Sequence, residues 1–318
     1  MKLFFSGITP EIAKEYYEKS KGINGEKEPE KIDVLVSFYT TLGNTMNTTK
    51  AFKEYVDEIM LDSGAFSTFS KPSSERYHIK NRFKMYLKYT INSLSFKKTD
   101  TSTPHSLYKI IMSFDEYSTT EKLQENIDIY NELRDIEKAI APVLHDMNDY
   151  ENEIRGYFGE QKVRGRKKAK PEFIAIGKLG KEKSPEILNP MIDKIHSFGC
   201  KCHVLGVSSF DVLSNCRLDT CDSTSWLKYS NYGLINYFSV INGSPYNETV
   251  QVQEIENIDK NIKYQKFDEF PYSKDLINDM MNIGIEEKDF RNSKRQKSRM
   301  FANIYYTRRM MDYINGCI

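Results

Sequence analysis

The run EIMLD (58–62) ends in an aspartate, and the same pattern returns in KIIMSFD (109–115) and LDTCD (218–222). Each run is short, apolar and prone to β structure, so each predicts a buried strand with a carboxylate at its end. In a parallel (β/α)8 barrel the C-terminal ends of all strands meet at one mouth, where such folds carry their functional groups. We therefore predict an α/β fold, a TIM barrel, with three carboxylates around one pocket.

The rest of the chain repeats the same alternation of strand and helix. Helical segments such as 8–21, 120–139 and 186–199 separate the candidate strands, which favours a parallel sheet. An open, doubly wound sheet is the alternative, but no glycine-rich phosphate loop follows the first strand. The eight candidate strands are 2–7, 33–39, 58–64, 109–115, 139–145, 173–179, 202–207 and 217–223.

Two segments are longer than a barrel requires. Residues 66–108 form a basic, aromatic insertion after the third strand, and residues 229–318 follow the last one. We predict a catalytic barrel over 1–228 and a C-terminal helical extension over 229–318 that packs on the barrel. The extension ends in a basic stretch (293–314), which we interpret as a helix that contacts nucleic acid.

The bulk composition limits the partners. The chain of 318 residues has a formal net charge of +1, so any polyanion must be bound by local basic runs, at 76–98, 162–170 and 291–309. The alternative for each run is ordinary solvated surface. No apolar run is long enough for a bilayer, and the N-terminus is typical of a strand, so we predict a cytoplasmic protein without membrane contact.

The cysteines argue against a disulfide framework. Their number is five, which is odd, and we interpret them as reduced thiols. Cys200, Cys202 and His203 are the nearest approach to a zinc motif. Because neighbouring strand residues point to opposite faces, Cys202 and His203 do not aim easily at one metal ion. We predict neither a metal site nor a cofactor.

The motif LDSGAFS (61–67) is the sharpest local signal. It places the carboxylate of Asp62, the hydroxyl of Ser63, a flexible turn at Gly64 and the ring of Phe66 within five residues. Gly64 permits close approach of a ligand to the backbone, and Phe66 can cover a planar ring. The alternative is that Asp62 caps the following helix and Phe66 lies in the core.

The other strand ends supply further candidates. Asp115 or its neighbour Glu116 can accept hydrogen bonds from the donor edge of a guanine-like base. His145 follows the fifth strand, where a structural role is the alternative. Of the two late aspartates, Asp219 and Asp222, the second lies nearer the mouth and is the preferred nucleophile.

The ordered set DSGAF, SFDE, AIGKL, LGV and a late DxxD resembles the tRNA-guanine transglycosylases and their 7-deazaguanine DNA-modifying relatives. The resemblance covers about residues 33–228. It implies a pentosyltransferase in which Asp62 is the general acid/base and Asp222 the nucleophile that attacks the sugar. The other implied contacts with the base are those of Ser63, Gly64, Phe66, Asp115, Gly177, Lys178, Leu179, Leu205 and Gly206, and the position of His145 at a strand end adds it as a candidate. The resemblance also places Lys228 near a phosphate contact. The basic run 162–170 adds candidate contacts with nucleic acid, namely Arg164, Arg166, Lys167 and Lys168.

The differences from the tRNA enzymes of that family favour DNA as the substrate. His145 stands where the tRNA enzymes have a glutamine, and Lys178 replaces the second glycine of a pair. The zinc motif of three cysteines and a histidine is missing, since only Cys317 follows Trp226. We therefore predict exchange of guanine in DNA for a 7-deazaguanine base of the 7-cyano type. A zinc-free tRNA-guanine transglycosylase, an inactive nucleic-acid-binding barrel and a small-molecule nucleosidase are the alternatives, and the oligomeric state stays open.

Overall fold

The computed structural model describes residues 1–21, 29–91, 108–115, 122–136, 139–145, 148–158, 170–177, 183–254, 258, 260, 262–292 and 294–316. Nine strands of this described part form one parallel sheet in the order β5-β4-β3-β2-β1-β9-β8-β7-β6. Helices follow most of the strands along the chain. The strands are β1 (Lys2–Ser6), β2 (Ile32–Ser37), β3 (Val56–Asp62), β4 (Ile110–Met112), β5 (Ile140–Ala141), β6 (Val143–Leu144), β7 (Phe173–Ile176), β8 (Lys201–Val204) and β9 (Thr220–Ser223).

The two edges of this sheet lie on either side of a single residue, Pro142. β5 pairs with β4 and β6 pairs with β7, although the two strands are consecutive in the chain. Proline has no N–H to donate, which divides the fifth predicted strand in two. The Pro142 carbonyl still accepts a hydrogen bond from the Ala175 N–H at 2.9 Å. The sheet thus nearly closes on itself, and the architecture is that of a TIM-like barrel.

Alternate residues of the strands fill the barrel. Phe4, Leu35 and Met60 form a cluster inside the sheet, while their neighbours Leu3, Phe5 and Leu61 belong to the core between sheet and helices. This alternation is the two-residue period of a strand. It fixes which side chains at the strand ends point into the mouth.

The helices of the barrel layer are short. They are α1 (Pro10–Lys19), α2 (Thr45–Phe52), α3 (Ala65–Thr68), α4 (Ser73–Met85), α5 (Leu123–Ile136), α6 (Tyr150–Phe158), α7 (Pro185–Ser197), α8 (Phe210–Asn215) and α9 (Ser225–Asn231), and a π-helical turn (Tyr86–Ile91) continues α4. Pro10 and Pro185 each stand in the first turn of a helix, where the missing N–H is harmless. None of the described helices combines the length and apolarity that a membrane span requires.

Part of the predicted insertion belongs to the barrel itself. Ile79 and Phe83 of α4 are buried, and the Phe83 ring contacts Phe38 and Phe114 at centroid distances of 5.1 and 6.3 Å. α4 therefore serves as the helix between β3 and β4. Residues 92–107 lie outside the described part of the chain.

The C-terminal extension differs from the helical one that the sequence predicts, because it also contains strands. It contains an antiparallel hairpin, β10 (Leu234–Ile241) and β11 (Ser244–Gln251), a short strand β12 (Gln265–Lys266), and helices α10 (Ser273–Asn282), α11 (Glu287–Phe290) and α12 (Gln296–Ile314). The predicted boundary at 228 falls inside α9. That helix packs on the barrel through the Trp226 indole, which donates to the Ser6 carbonyl at 3.0 Å, and also contacts α12.

Two arginines of the basic stretch in α12 have structural partners. Lys294, Arg295 and Lys297, at the start of the same stretch, are exposed, so a nucleic-acid contact there stays a prediction. Arg299 is buried and donates to the carbonyl oxygens of Ser230, Phe290 and Asn292 at 2.8–3.1 Å. Arg308 pairs with Glu30 at 2.9 Å. Because these guanidinium groups join the extension to itself and to the barrel, they are not available to a phosphate backbone.

Candidate active site

The three predicted carboxylates line one cavity at the C-terminal ends of the strands. Its volume is about 1100 Å³, and Asp62, Asp115 and Asp222 all contribute to its wall. Asp62 comes two residues after Met60, and Ser6 two residues after Phe4, both of which fill the barrel interior. The strand period therefore continues the inward-facing set from the apolar core to the polar mouth.

Asp222 is held by three hydrogen-bond donors. The Ser6 hydroxyl donates to one carboxylate oxygen at 2.6 Å, and the Gly206 N–H donates to the other at 3.0 Å. His203 Nε2 lies 3.3 Å from that second oxygen, while its Nδ1 faces the Thr220 hydroxyl at 2.9 Å. Burial raises the pKa of Asp222, but the bonds from His203, Ser6 and Gly206 outweigh it, so the pKa lies below its ordinary value. Asp222 is therefore ionised near neutral pH.

The pKa of Asp62 is shifted in the opposite direction. Burial, and then the negative charges of Asp222 and Asp115, raise the pKa of Asp62 to about 7. Its one backbone donor is the Gly64 N–H at 3.0 Å. A carboxyl group with this pKa can both give and take a proton at neutral pH, which is what general acid/base catalysis requires.

Asp115 forms a buried ion pair with His145. The His145 Nε2 and an Asp115 carboxylate oxygen are in direct contact, and both residues line the cavity. Burial lowers the pKa of His145, but the charge of Asp115 outweighs it and raises the pKa overall. The side chain of Glu153 accepts a hydrogen bond from the His145 backbone N–H at 2.9 Å and fixes that strand end. Of the two acidic candidates here, Asp115 faces the cavity, and Glu116 lies outside the described residues.

Some residues of the DSGAF motif line the cavity, and others hold the adjoining backbone in place. Phe66 lines the cavity and is 73% exposed, as a stacking surface for a planar ligand would be. Gly64 has a φ of +78°, and a Cβ there would lie 2.2 Å from the Tyr39 Cβ, so only glycine fits. Ser63 is buried and donates to the Ser113 carbonyl at 3.0 Å, which ties β3 to the residue after β4. Ser63 and Gly64 thus fix the backbone at the mouth, but they are not among the residues that line the cavity.

The remaining predicted base contacts are partly in place. Gly177, Leu205 and Gly206 line the cavity. The Gly177 N–H, however, donates to the Leu144 carbonyl at 2.9 Å, so it is already used within the sheet. Lys178 and Leu179 lie outside the described residues.

Of the residues predicted individually as nucleic-acid contacts, Lys228 alone belongs to the described residues. Lys228 is exposed on α9, where its ammonium lies 5.9 Å from the centroid of the Tyr232 ring, and it is not part of the cavity wall. Arg164, Arg166, Lys167 and Lys168 lie outside the described residues. In the run 76–98, Lys80 and Lys84 pair with glutamates of α5, whereas Arg76 covers the ring of Phe69 beside the mouth.

Three residues of the site were missed from the sequence. Ser6 and His203 hold Asp222, and Lys183 lines the cavity beside Gly206. Ser6 ends its strand in the same way as the aspartates do, so that pattern could have found it. His203 was considered only as a zinc ligand, and in the structure it bonds to Thr220 and Asp222 instead. Among the described residues, no cluster of histidine, cysteine, aspartate or glutamate has the arrangement of a metal site.

Comparison with known proteins does not assign this chain to a family. A scan against protein-family models found no match, and a search of curated proteins found none either. The class of protein that fold and site define is therefore limited to a TIM-like barrel with a carboxylate-lined cavity at its mouth.

Proposed function

We propose that this protein is a transglycosylase that exchanges guanine in DNA for a 7-deazaguanine base of the 7-cyano-7-deazaguanine type. The observation that carries the proposal is the opposed character of two carboxyl groups around one cavity. Asp222 is held as an anion, while the pKa of Asp62 is raised to about 7. A pair of this kind assigns a nucleophile and an acid/base by environment alone.

In the first step a carboxylate oxygen of Asp222 bonds to C1′ of the target nucleotide. The bond from C1′ to N9 breaks, and its electron pair stays with the departing guanine. Protonated Asp62 supplies the proton that the leaving base needs. The product is a glycosyl-enzyme ester, which keeps the sugar in place while the bases change.

In the second step Asp62, now ionised, removes a proton from N9 of the incoming 7-deazaguanine. The freed N9 electron pair attacks C1′, and the ester bond to Asp222 breaks with its electrons returning to the carboxylate. Two inversions at C1′ give net retention. Asp62 ends the cycle protonated, so neither a cofactor nor an external acid is consumed.

The base is recognised by the residues that line the cavity around Asp115. The Asp115 carboxylate suits the N1–H and exocyclic amine of guanine, and a protonated His145 suits its carbonyl oxygen. Phe66 stacks on the ring from the open side. The cavity of about 1100 Å³ is larger than one nucleobase, as a flipped nucleotide with its sugar requires.

Features of the sequence favour DNA over tRNA as the polymer. The resemblance to the transglycosylases lacks the zinc lobe with which the tRNA enzymes dock RNA, and the residues after 231 form a hairpin and helices instead.

The test is isotope incorporation with several acceptors. The protein is incubated with labelled guanine or labelled 7-cyano-7-deazaguanine and with duplex DNA, single-stranded DNA or bulk tRNA, and digested nucleosides are analysed by mass spectrometry. We expect label in DNA, and none with an Asp222→Asn control. Label in tRNA alone would overturn the choice of polymer, and salt-dependent DNA binding without label would favour the inactive barrel.

A further inference from the structure

A second cavity adjoins the first at the ends of β8 and β9. Its volume is about 650 Å³, and it lies between the segment 206–211, helix α9 and the hairpin β10–β11. Lys183 and Gly206 belong to the walls of both cavities, so the two share one boundary. None of the roles assigned to Asp62, Asp222 or Asp115 uses this second cavity, which we call the hairpin groove.

The boundary between the cavities carries a positive charge. The Lys183 ammonium donates to the carbonyl oxygens of Leu205 and Gly206 at 3.3 and 2.5 Å. Across the described residues, no carboxylate lies within salt-bridge distance of it. A Cβ on Gly206 would come within 3.1 Å of the ammonium, so the glycine allows the lysine its position. The Asp222 carboxylate also acts on this ammonium electrostatically, though not as an ion pair. Of the three N–H groups of an ammonium, two are used by the carbonyl oxygens in the described part of the chain, and the third can donate to an anion.

The groove itself is polar but mostly uncharged. Ser208 and Ser225 line it and hydrogen-bond to each other at 2.8 Å, and the rings of Trp226 and Tyr229 form part of its wall. The side-chain oxygen of Asn247 is buried and has no hydrogen-bond partner within the described part of the chain. Asp211 also lines the groove, where its carboxylate accepts from Asn215 at 3.1 Å. Neutral hydrogen-bonding groups beside aromatic rings suit a nucleoside.

We infer that the hairpin groove binds the nucleotide next to the flipped one, with the phosphate between the two nucleotides at Lys183. This inference rests on the proposed function for the identity of its ligand. A strand whose target nucleotide occupies the first cavity has its neighbour within one sugar-phosphate unit, and the groove is the adjoining space. The phosphate then contacts the Lys183 ammonium, and the neighbouring nucleoside contacts Asn247 and the aromatic wall.

The experiment pairs a protein variant with a changed phosphate. A DNA oligonucleotide with one guanine is prepared with a single uncharged methylphosphonate at each linkage in turn. Binding to wild type, Lys183→Gln and Lys201→Gln is followed by fluorescence anisotropy over a salt series. Lys201 is the control because it lies at the opposite end of β8, paired with Glu172 on the surface. Thermal melting verifies that each variant is folded.

We expect Lys183→Gln to weaken binding about tenfold and to lower the salt slope by about one unit. Neutralising one linkage beside the guanine should weaken wild type to a similar extent and leave Lys183→Gln unchanged, because both changes remove the same contact. Lys201→Gln should behave as wild type does. An Asn247→Leu variant should respond less than wild type when the neighbouring base is removed.

Two results would overturn the inference: fully additive effects of Lys183→Gln and every neutral linkage, or no DNA binding at all. The binding readout does not depend on base exchange. Coupling at one linkage without exchange would leave the groove standing and remove the transglycosylase. Base exchange without coupling between Lys183→Gln and any neutral linkage would support the transglycosylase and remove the proposed role of the groove.

Discussion

The two ends of the barrel both hold clustered acidic residues, and those at the C-terminal end line a large cavity. At the C-terminal mouth, Asp62 and Asp222 face an open volume of about 1100 Å³. At the N-terminal end, Asp33 and Glu58 are covered by lysines, with Lys2 at 3.9 Å from Asp33 and 3.1 Å from Glu58. The same residue type therefore lies beside lysines at one end of the barrel and faces a cavity at the other.

A shifted pKa does not distinguish the two ends by itself. Burial raises the pKa of Asp33 to about 6, and burial raises that of Asp62 to about 7. The difference lies in the neighbours. Asp33 accepts from the Glu58 N–H and has a lysine close by, while Asp62 has other carboxylates across a cavity. Shifted values mark candidate sites only when an accessible volume accompanies them.

The aspartates of LDTCD give the sharpest form of this comparison. Asp219 lies before β9 and bonds to His196 and the Cys202 N–H at 2.9 and 2.8 Å, whereas Asp222 lines the mouth. We expect Asp222→Asn to lower base exchange by about 10⁴-fold, because the nucleophile is gone. Exchange per folded molecule should be unchanged in Asp219→Asn. Equal losses in the two variants, in a labelled-guanine assay, would break the comparison.

Asp62 should control the pH dependence of the first step. Release of guanine needs protonated Asp62, so kcat/KM for the DNA substrate should fall as pH rises through about 7. Asp62→Asn should lose about 10²- to 10⁴-fold in rate, the usual contribution of an acid/base group. The measurement is a pH–rate profile between pH 5 and 9. A wild-type profile without an inflection near 7 would contradict the role.

Asp62 should also reduce the stability of the fold at high pH. Its folded pKa of about 7 is above the ordinary 3.8, so its contribution is fully present below about pH 4 and is lost as pH rises to 7. We expect Asp62→Asn to exceed wild type by roughly 4 kcal/mol in the free energy of unfolding at pH 8, because folding raises the pKa of Asp62 from 3.8 to about 7. The difference should vanish near pH 4. Urea unfolding at both pH values measures it, and parallel curves would contradict it.

Ser6 should matter less than either aspartate. Ser6→Ala removes one donor from Asp222, which raises the pKa of that carboxyl and weakens its orientation. A loss of about tenfold in exchange is expected, in line with one hydrogen bond to a charged group. The matched control is Ser20→Ala, a buried serine whose hydroxyl donates to the Tyr17 carbonyl after α1. The comparison would be weakened if the control lost as much activity.

Asp33 should have the smallest effect on base exchange. Asp33→Asn removes a buried charge but keeps an oxygen that can accept from the Glu58 N–H. We expect unchanged exchange and a rise of roughly 2–3 kcal/mol in the free energy of unfolding at pH 7, because the pKa of Asp33 is raised to about 6. A strong loss of exchange would show that the N-terminal end also takes part in function.

The periodicity of single strands was visible in the sequence. Apolar runs that end in Asp62, Asp115 and Asp222 predicted parallel strands with carboxylates at one mouth, and those side chains do line one cavity. The reason is local, because successive strand residues point to opposite faces and a two-residue period can be read from any one run. The preference for Asp222 over Asp219 came from position along the strand in the same way.

The partners of those residues required the fold. Ser6 and His203 reach Asp222 only because β1 and β8 flank β9 in the sheet, and their separations along the chain are 216 and 19 residues. The burial of Arg299 in α12 is likewise decided by which carbonyl groups surround it. A sequence states which residues are charged and how often they recur. Whether a charge is paired, buried or open to a ligand depends on non-local packing, and only the tertiary structure decides that.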